Sequence, residues 1–144
     1  MLGLESNYKI VSKQNLVIQC HAGVLELNNY IHFASNLHND PLYSPNLNHL
    51  INIKNVLIKA SIDDLKEYVS FSENNFKKPR TRRIAIVTET PNQVALSTLF
   101  KMLQKNMSQE VEIFSTIEKA IDWLQVDSNH ADIKIILDKL QEKI

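Results

Sequence analysis

The side chains with the clearest capacity for chemistry are five histidines, and they are scattered along the chain. No two of them form an H-x-x-x-H or H-E-x-x-H pair, so the sequence contains no local zinc motif. A metal site assembled from distant positions stays open, but structural histidines are the simpler interpretation. We therefore predict neither a metal nor a cofactor. The histidines are His21, His32, His38, His49 and His130.

The single cysteine, Cys20, excludes an intrachain disulfide and a C-x-x-C pair. It alternates with Leu16 and Ile18 on one face of a predicted strand. We therefore expect it to pack as a small hydrophobic residue rather than to act as a reactive thiol. One free thiol fits a reducing compartment, and the first residues lack the features of a signal peptide. We expect a cytoplasmic protein without a transmembrane segment, because no apolar run approaches the length of about 20 residues that a membrane span needs.

A basic segment, KKPRTRR, occupies positions 77–83. It is either a solvated loop that leads into the following strand, or a patch that binds an anion, a phospholipid head group or a nucleic acid. No aromatic residue is interleaved to stack on bases, so we do not expect nucleic acid as a partner. The residues of this candidate anion patch are Lys77, Lys78, Arg80, Arg82 and Arg83.

An acidic cluster follows Ser61, which has the position of a helix N-cap with Asp64 three residues later, as in a capping box. Asp63, Asp64 and Glu67 then lie in the first turns of the helix, where carboxylates complement the helix dipole. This interpretation is simpler than a pair of catalytic carboxylates. We predict that Ser61 acts first as a helix cap.

Composition limits the classes of function further. The chain has 144 residues, 44% of them hydrophobic, which suits one domain with a substantial core. Its 16 basic and 16 acidic residues cancel, which disfavours a binder that relies on bulk charge. With only Gly3 and Gly23, it cannot contain a P-loop, a G-x-G-x-x-G loop or a G-x-S-x-G elbow. We therefore predict that the protein is not an enzyme.

Apolar periodicity and helix caps predict the order β-β-α-β-α-β-α-β-α, followed by one more helix. The strands Tyr8–Ser12 and Asn15–His21 form an N-terminal β-hairpin. The run Ile84–Val87 is typical of a strand that is buried on both faces. Strand, cap and helix then recur three times, which implies parallel strands joined by helical crossovers. We expect a mixed sheet with the hairpin at one side.

The chain resembles small bacterial proteins of the SpoIIAA-like type, whose fold is shared by STAS domains and the lipid-binding SEC14 domain. The resemblance covers roughly residues 7 to 125. The segments that carry it are Tyr8–Ile10, Asn15–Ile18 with Gly23, Asp40-Pro41, Arg83–Val87, Val111–Phe114 and Glu118–Leu124. It implies an α/β, SpoIIAA-like (STAS-like) fold: a mixed β-sheet with an N-terminal β-hairpin and βα repeats.

The resemblance also implies a non-catalytic regulatory or binding module that acts through protein–protein contacts. The alternative is a carrier for a small apolar ligand or lipid, as in the SEC14 branch. An exposed apolar patch would favour the module, and an internal pocket would favour the carrier. In the regulatory branch a phosphorylatable serine begins a helix, and Ser61 is the matching residue here. Alanine replaces the aspartate of that motif, and Asp63 and Asp64 would repel a phosphate.

The last helix, predicted within residues 130–144, lies outside the resemblance and carries a wide apolar stripe. It either covers an end of the core or packs against another subunit. We expect the second arrangement, a homodimer, because a symmetric pair of such helices buries both stripes. The candidate dimer residues are Ile133, Ile136, Leu137, Leu140 and Ile144.

Overall fold

A hairpin opens the chain, and alternating helices and strands follow it in the predicted order. The computed structural model describes residues 3–104, 108–127 and 129–144. The elements are β1 (Leu4–Val11), β2 (Leu16–Leu25), α1 (Leu27–His38), β3 (Asn48–Ile58), α2 (Ile62–Asn75), β4 (Arg82–Val87), α3 (Pro91–Leu103), β5 (Gln109–Phe114), α4 (Ile117–Leu124) and α5 (His130–Glu142).

The five strands form one mixed sheet whose spatial order, β1-β2-β3-β4-β5, is the order of the chain. β1 pairs with β2 in antiparallel fashion, and the other three pairs are parallel. β4 lies between β3 and β5, and its residues Ile84–Val87 are buried. The predictions of a mixed sheet, a hairpin at one side and a doubly buried interior strand are confirmed.

The two faces of the sheet have different partners. We call one the packed face: its strand residues form a single core cluster with α4 and α5. The other we call the cavity face, because α1, α2 and α3 cover it and enclose a cavity there. Alternation along each strand assigns the side chains. On the packed face are Leu16, Ile18, Cys20, Leu50, Ala85 and Val87, and on the cavity face are Val17, Ile51, Ile53, Ile84 and Ile86.

β2 is longer than its sequence predicts, because it continues past His21 to Leu25. Its pairing with β3 shifts register between Cys20 and Ala22, which marks a β-bulge. Gly23 follows with φ of +98°, and a Cβ there would collide with the carbonyl oxygen of Gly3. Only glycine tolerates both this positive φ and the lack of space for a Cβ. Gly23 therefore lies at a bend within β2 rather than at its end.

α5 packs against its own chain, which is the first of the two arrangements named for it from the sequence, whereas we expected the second. Ile133, Leu137 and Leu140 are buried in the core cluster of the packed face, and Ile136 and Ile144 pack against that cluster. α4 has only eight residues and contacts β3, β4 and β5, so it leaves β1 and β2 to α5. The apolar stripe therefore completes the fold, and the homodimer stays a prediction without this interface.

Candidate functional site

A cavity of about 140 Å³ lies between the cavity face and helices α1, α2 and α3. Its volume is close to that of the roughly 150 Å³ engineered cavity that binds benzene. Aliphatic side chains and four aromatic rings from the three helices line it. The rings form a series in which Tyr30 lies 5.8 Å from Phe33 and 5.3 Å from Tyr68, and Tyr68 lies 6.2 Å from Phe100, between centroids. The walls therefore suit an apolar or aromatic ligand.

A row of hydrogen-bonded polar side chains crosses the cavity face, and it begins on the hairpin. Ser6 Oγ on β1 lies 2.6 Å from His21 Nδ1 on β2. His21 Nε2 lies 2.9 Å from Gln19 Oε1, which also accepts a bond from the Tyr30 hydroxyl at 3.5 Å. Gln19 and His21 are almost completely buried. Their mutual bonds satisfy groups that would otherwise destabilise the core.

The row continues through the next three strands. Gln19 Nε2 lies 2.9 Å from Nδ1 of His49 on β3. His49 Nε2 lies 3.4 Å from both the Tyr43 hydroxyl and Nη1 of Arg82 on β4. Arg82 Nε donates at 2.6 Å to Gln109 Oε1 on β5, and Gln109 in turn donates to Gln104 at the end of α3. One connected set of side chains thus reaches from β1 to β5.

One assignment of protons fits the two buried histidines. Gln19 Nε2 donates to His49 Nδ1, so His49 carries its proton on Nε2 and donates it to the Tyr43 hydroxyl, which also accepts from Arg82 Nη1. His49 Nε2 and Arg82 Nη1 are then both donors, and Tyr43 links them. His21 donates from Nε2 and accepts from Ser6 at Nδ1. Both rings are therefore neutral. Burial lowers the pKa of His21 to about 4. The pKa of His49 lies well below the ordinary value, chiefly because of burial and also because of the positive charge of Arg82.

Arg82 brings a positive charge to this neutral surrounding. Nη1 donates to the Tyr43 hydroxyl at 3.0 Å and to the Pro45 carbonyl at 3.4 Å. In the part of the chain that the structure describes, Nη2 donates to no protein group, and no carboxylate forms an ion pair with Arg82. Arg82 is half-buried and lines the cavity. A half-buried guanidinium that lines a cavity and has no ion-pair partner among the described residues is a functional indication.

The structure separates the five residues of the candidate anion patch into three different surroundings. Lys77, Lys78 and Arg80 are exposed. Arg82 and Arg83 are consecutive residues of β4, so their side chains leave opposite faces of the sheet. Arg83 lies over the Trp123 ring at 5.2 Å and donates to the Trp123 carbonyl at 2.6 Å. Arg82 therefore belongs to the cavity and Arg83 to the packed face, and anion binding by this segment stays a prediction.

The predictions for Ser61 as a cap and for Cys20 as a core residue are confirmed. Ser61 Oγ accepts from the Asp64 N–H at 3.1 Å, and the Asp64 carboxylate accepts from the Ser61 N–H at 2.9 Å. Cys20 is buried in the core of the packed face, and burial raises the pKa of its thiol. Regulation through Ser61 stays a prediction.

Sequence reasoning missed most of the polar row. It treated His21 and His49 as isolated structural residues, and it did not consider Gln19 or Gln109. A signal was present in β2, where Gln19 and His21 alternate with the apolar set Leu16, Ile18 and Cys20. Two polar residues at i and i+2 in a strand buried on both sides indicate a hydrogen-bonded partner across the sheet.

Two surface grooves, of about 450 and 400 Å³, are larger than the cavity; the first is mainly polar, and the second is polar and apolar in equal measure. The first contains the ion pair between Lys134 and Glu118, whose atoms lie 2.7 Å apart, so its charges compensate each other. Among the described residues, no group of three histidine, cysteine or acidic side chains is placed to hold a metal ion. No described helix has the length and apolar character needed to cross a membrane. The cavity is therefore the more specific candidate site.

The fold and its cavity can be compared with known proteins. The chain matches the family described as SpoIIAA-like over residues 22–125. It belongs to the SpoIIAA-like family. The matched region extends from Ala22, near the end of β2, to Gln125, the residue after α4, so it leaves out β1 and the part of β2 that carries Gln19 and His21. α5, which completes the packed face, lies beyond the match.

A solved structure supports the assignment of the SpoIIAA-like fold. It is an uncharacterised protein of the DUF3478 family, with a SpoIIAA-like fold, from Shewanella loihica PV-4. The two structures agree with a TM-score of 0.57 at 17% sequence identity, over 86% of this chain and 95% of the other. At that identity the similarity establishes the fold alone. No curated protein matches the chain.

Proposed function

We propose that this protein is a non-catalytic binding module whose ligand is a small, largely apolar molecule held in the cavity between the sheet and helices α1–α3. The observation that carries the proposal is the cavity itself: about 140 Å³ of space, lined by aromatic and aliphatic side chains and bordered by a few convergent polar groups. This combination is what small-molecule sites have in common. The sequence analysis gave the ligand carrier as the alternative to a protein–protein module, and the cavity makes the carrier the preferred hypothesis.

The proposal includes the absence of catalysis, although one group of side chains resembles a catalytic triad. Ser6, His21 and Gln19 are hydrogen-bonded in the order of a serine–histidine–acid triad. However, the third member is a neutral amide, and a pKa of about 4 makes His21 a weak base. Neither Ser6 nor His21 lines the cavity. These features support a structural role for the three residues.

A protein–protein module of the STAS type is the second candidate. It is favoured by two exposed apolar side chains, Leu57 at 56% and Ile62 at 51% exposure, which stand on either side of Ser61 in sequence. The other exposed large hydrophobic residues lie on separate elements or distant turns: Leu42, Val94, Met102 and Ile135. Two such side chains are a small patch for a stable protein interface.

The test measures binding of toluene, a probe that matches the cavity volume. Toluene at saturation should raise the melting temperature of the full chain, since a ligand that binds only the folded state stabilises it. Ala34 lines the cavity from α1, and Ala34→Leu should fill the space and abolish the shift. The matched control is Ala95→Leu at an exposed position of α3, which should keep it.

Native mass spectrometry of the gently purified protein adds an independent readout. A bound small molecule that is lost in Ala34→Leu would support the cavity as its site. If toluene neither shifts the melting temperature nor perturbs the NMR signals of cavity residues in the unmodified protein, the proposal is refuted. A retained protein partner without any small molecule would favour the second candidate.

A further inference from the structure

We propose that the ligand of this cavity carries a carboxylate and that Arg82 binds it. The inference rests on the proposed function and adds the chemical class of the ligand: a ring-sized apolar body with one negative charge. The geometry points to it because the cavity contains a positive charge whose hydrogen-bonding capacity is only partly used.

The first argument is the state of the guanidinium. Nε and Nη1 donate to Gln109, to Tyr43 and to the Pro45 carbonyl, which are all neutral acceptors. Nη2 donates to no group among the residues that the structure describes. It therefore offers an N–H group that can donate a charge-assisted hydrogen bond to one carboxylate oxygen. The bonds at Nε and Nη1 hold the guanidinium in place before the ligand arrives, which lowers the entropic cost of binding.

The second argument is that the surrounding residues do not neutralise Arg82. Asp64 is the one acidic residue that lines the cavity among the described residues, and its carboxylate is held by the Ser61 N–H at the start of α2. It forms no ion pair with Arg82. The two buried histidines of the row are neutral, so they neither compensate the charge nor add to it. The site thus has room for one negative charge.

The single positive charge of Arg82 favours a carboxylate over a phosphate monoester as the ligand's anionic group. A phosphate monoester carries close to two negative charges at neutral pH, and burying a second charge without a partner is costly. The cavity volume of about 140 Å³ also limits the head group, because a ring already occupies most of that space. A small aromatic carboxylate satisfies both limits.

Benzoate and benzamide are the probes, since they have the same size and shape and differ in charge. Calorimetric titration should show that the unmodified protein binds benzoate at least tenfold more tightly than benzamide, as expected for a hydrogen bond between charged groups. Arg82→Gln should weaken benzoate binding by about tenfold or more and leave benzamide within about threefold. Arg80→Gln, at an exposed position two residues away, should change neither affinity.

The outcomes separate the two proposals. If benzoate and benzamide bind equally well to the unmodified protein, the carboxylate inference is wrong and the apolar site stands. If neither they nor toluene bind, the proposed function itself is wrong. Should Arg82→Gln fail to fold, the preference of the unmodified protein still decides, and Arg82→Lys supplies a second variant. That variant keeps the charge but loses the planar fork, so benzoate should bind it with intermediate affinity.

Discussion

The two faces of the sheet are built from the same five strands, yet they differ in what fills them. The packed face is aliphatic: Leu16, Ile18, Leu50 and Ala85 have no exposed surface, and α4 and α5 close over them. The cavity face carries a polar row, a half-buried guanidinium and a cavity of about 140 Å³. Close packing maximises stability, whereas a cavity and buried polar groups reduce it. The difference supports the proposal that one face maintains the fold and the other binds a ligand.

The largest effect is expected from a substitution that creates a cavity on the packed face, because that face is assigned the role of stabilising the fold. Ile133→Ala should lower the free energy of unfolding by about 2–5 kcal/mol, because it removes buried methyl groups from a site that is 1% exposed. Urea denaturation measures the change. The control on the same helix, Ile135→Ala, is 51% exposed and should stay within about 0.5 kcal/mol. Equal effects of the two variants would contradict the placement of α5.

The second test uses acid against the polar row. The folded protein holds the pKa of His21 at about 4, below the ordinary value of 6.5. The stability that this provides is complete above pH 6.5 and is lost as the pH falls toward 4, because the unfolded chain binds the proton first. The loss should reach about 3 kcal/mol, at 1.4 kcal/mol for each pH unit of the shift.

Denaturation of the unmodified protein and of His21→Gln at pH 7.5 and pH 4 measures this loss. The variant should lose less stability to acid, although His49 continues to contribute. His130→Gln is the control, because His130 is on the surface beside Asp122. Identical acid sensitivity of His21→Gln and the unmodified protein would show that His21 is not buried in its neutral form.

The smallest expected effect concerns α2, one of the three helices that cover the cavity. Ser61→Ala removes the N-cap and should cost about 1 kcal/mol, whereas Ser61→Asp should be nearly neutral because aspartate also caps. Hydrogen exchange should locate the loss in the first turn of α2, with the packed face unaffected. Stoichiometric phosphorylation of Ser61 in cells would instead favour a regulatory role for this residue.

The architecture was readable from the sequence because its signals are local. The apolar run Ile84–Val87 identifies a doubly buried strand, and the Thr90–Gln93 capping box marks the start of α3. Even a local signal can place the N-cap of a helix one residue away from its true position. The sequence Ser115–Glu118 also has the pattern of a capping box, but Thr116 caps α4, and the Glu118 carboxylate pairs with Lys134 on α5.

The site was not readable in the same way, because its parts are far apart in the chain. His49 and Arg82 are separated by 33 residues, and only the parallel pairing of β3 with β4 brings them within reach. No local pattern distinguishes Arg82 from its neighbour Arg83, although strand alternation sends one to the cavity and the other to Trp123. The cavity volume depends on how three helices lie on the sheet, which periodicity does not specify.

The position of α5 has a consequence for the order of folding. Each strand lies beside the strand that precedes it in the chain, so each strand pair is joined by one turn or one helical crossover. α5 is the exception, because it packs against β1 and β2, and Asn7 Nδ2 donates to the Leu140 carbonyl across 133 residues at 3.4 Å. Long loops close at a greater entropic cost, and such contacts form late. We therefore expect α5 to dock after the sheet has formed, so that it slows unfolding far more than it speeds folding.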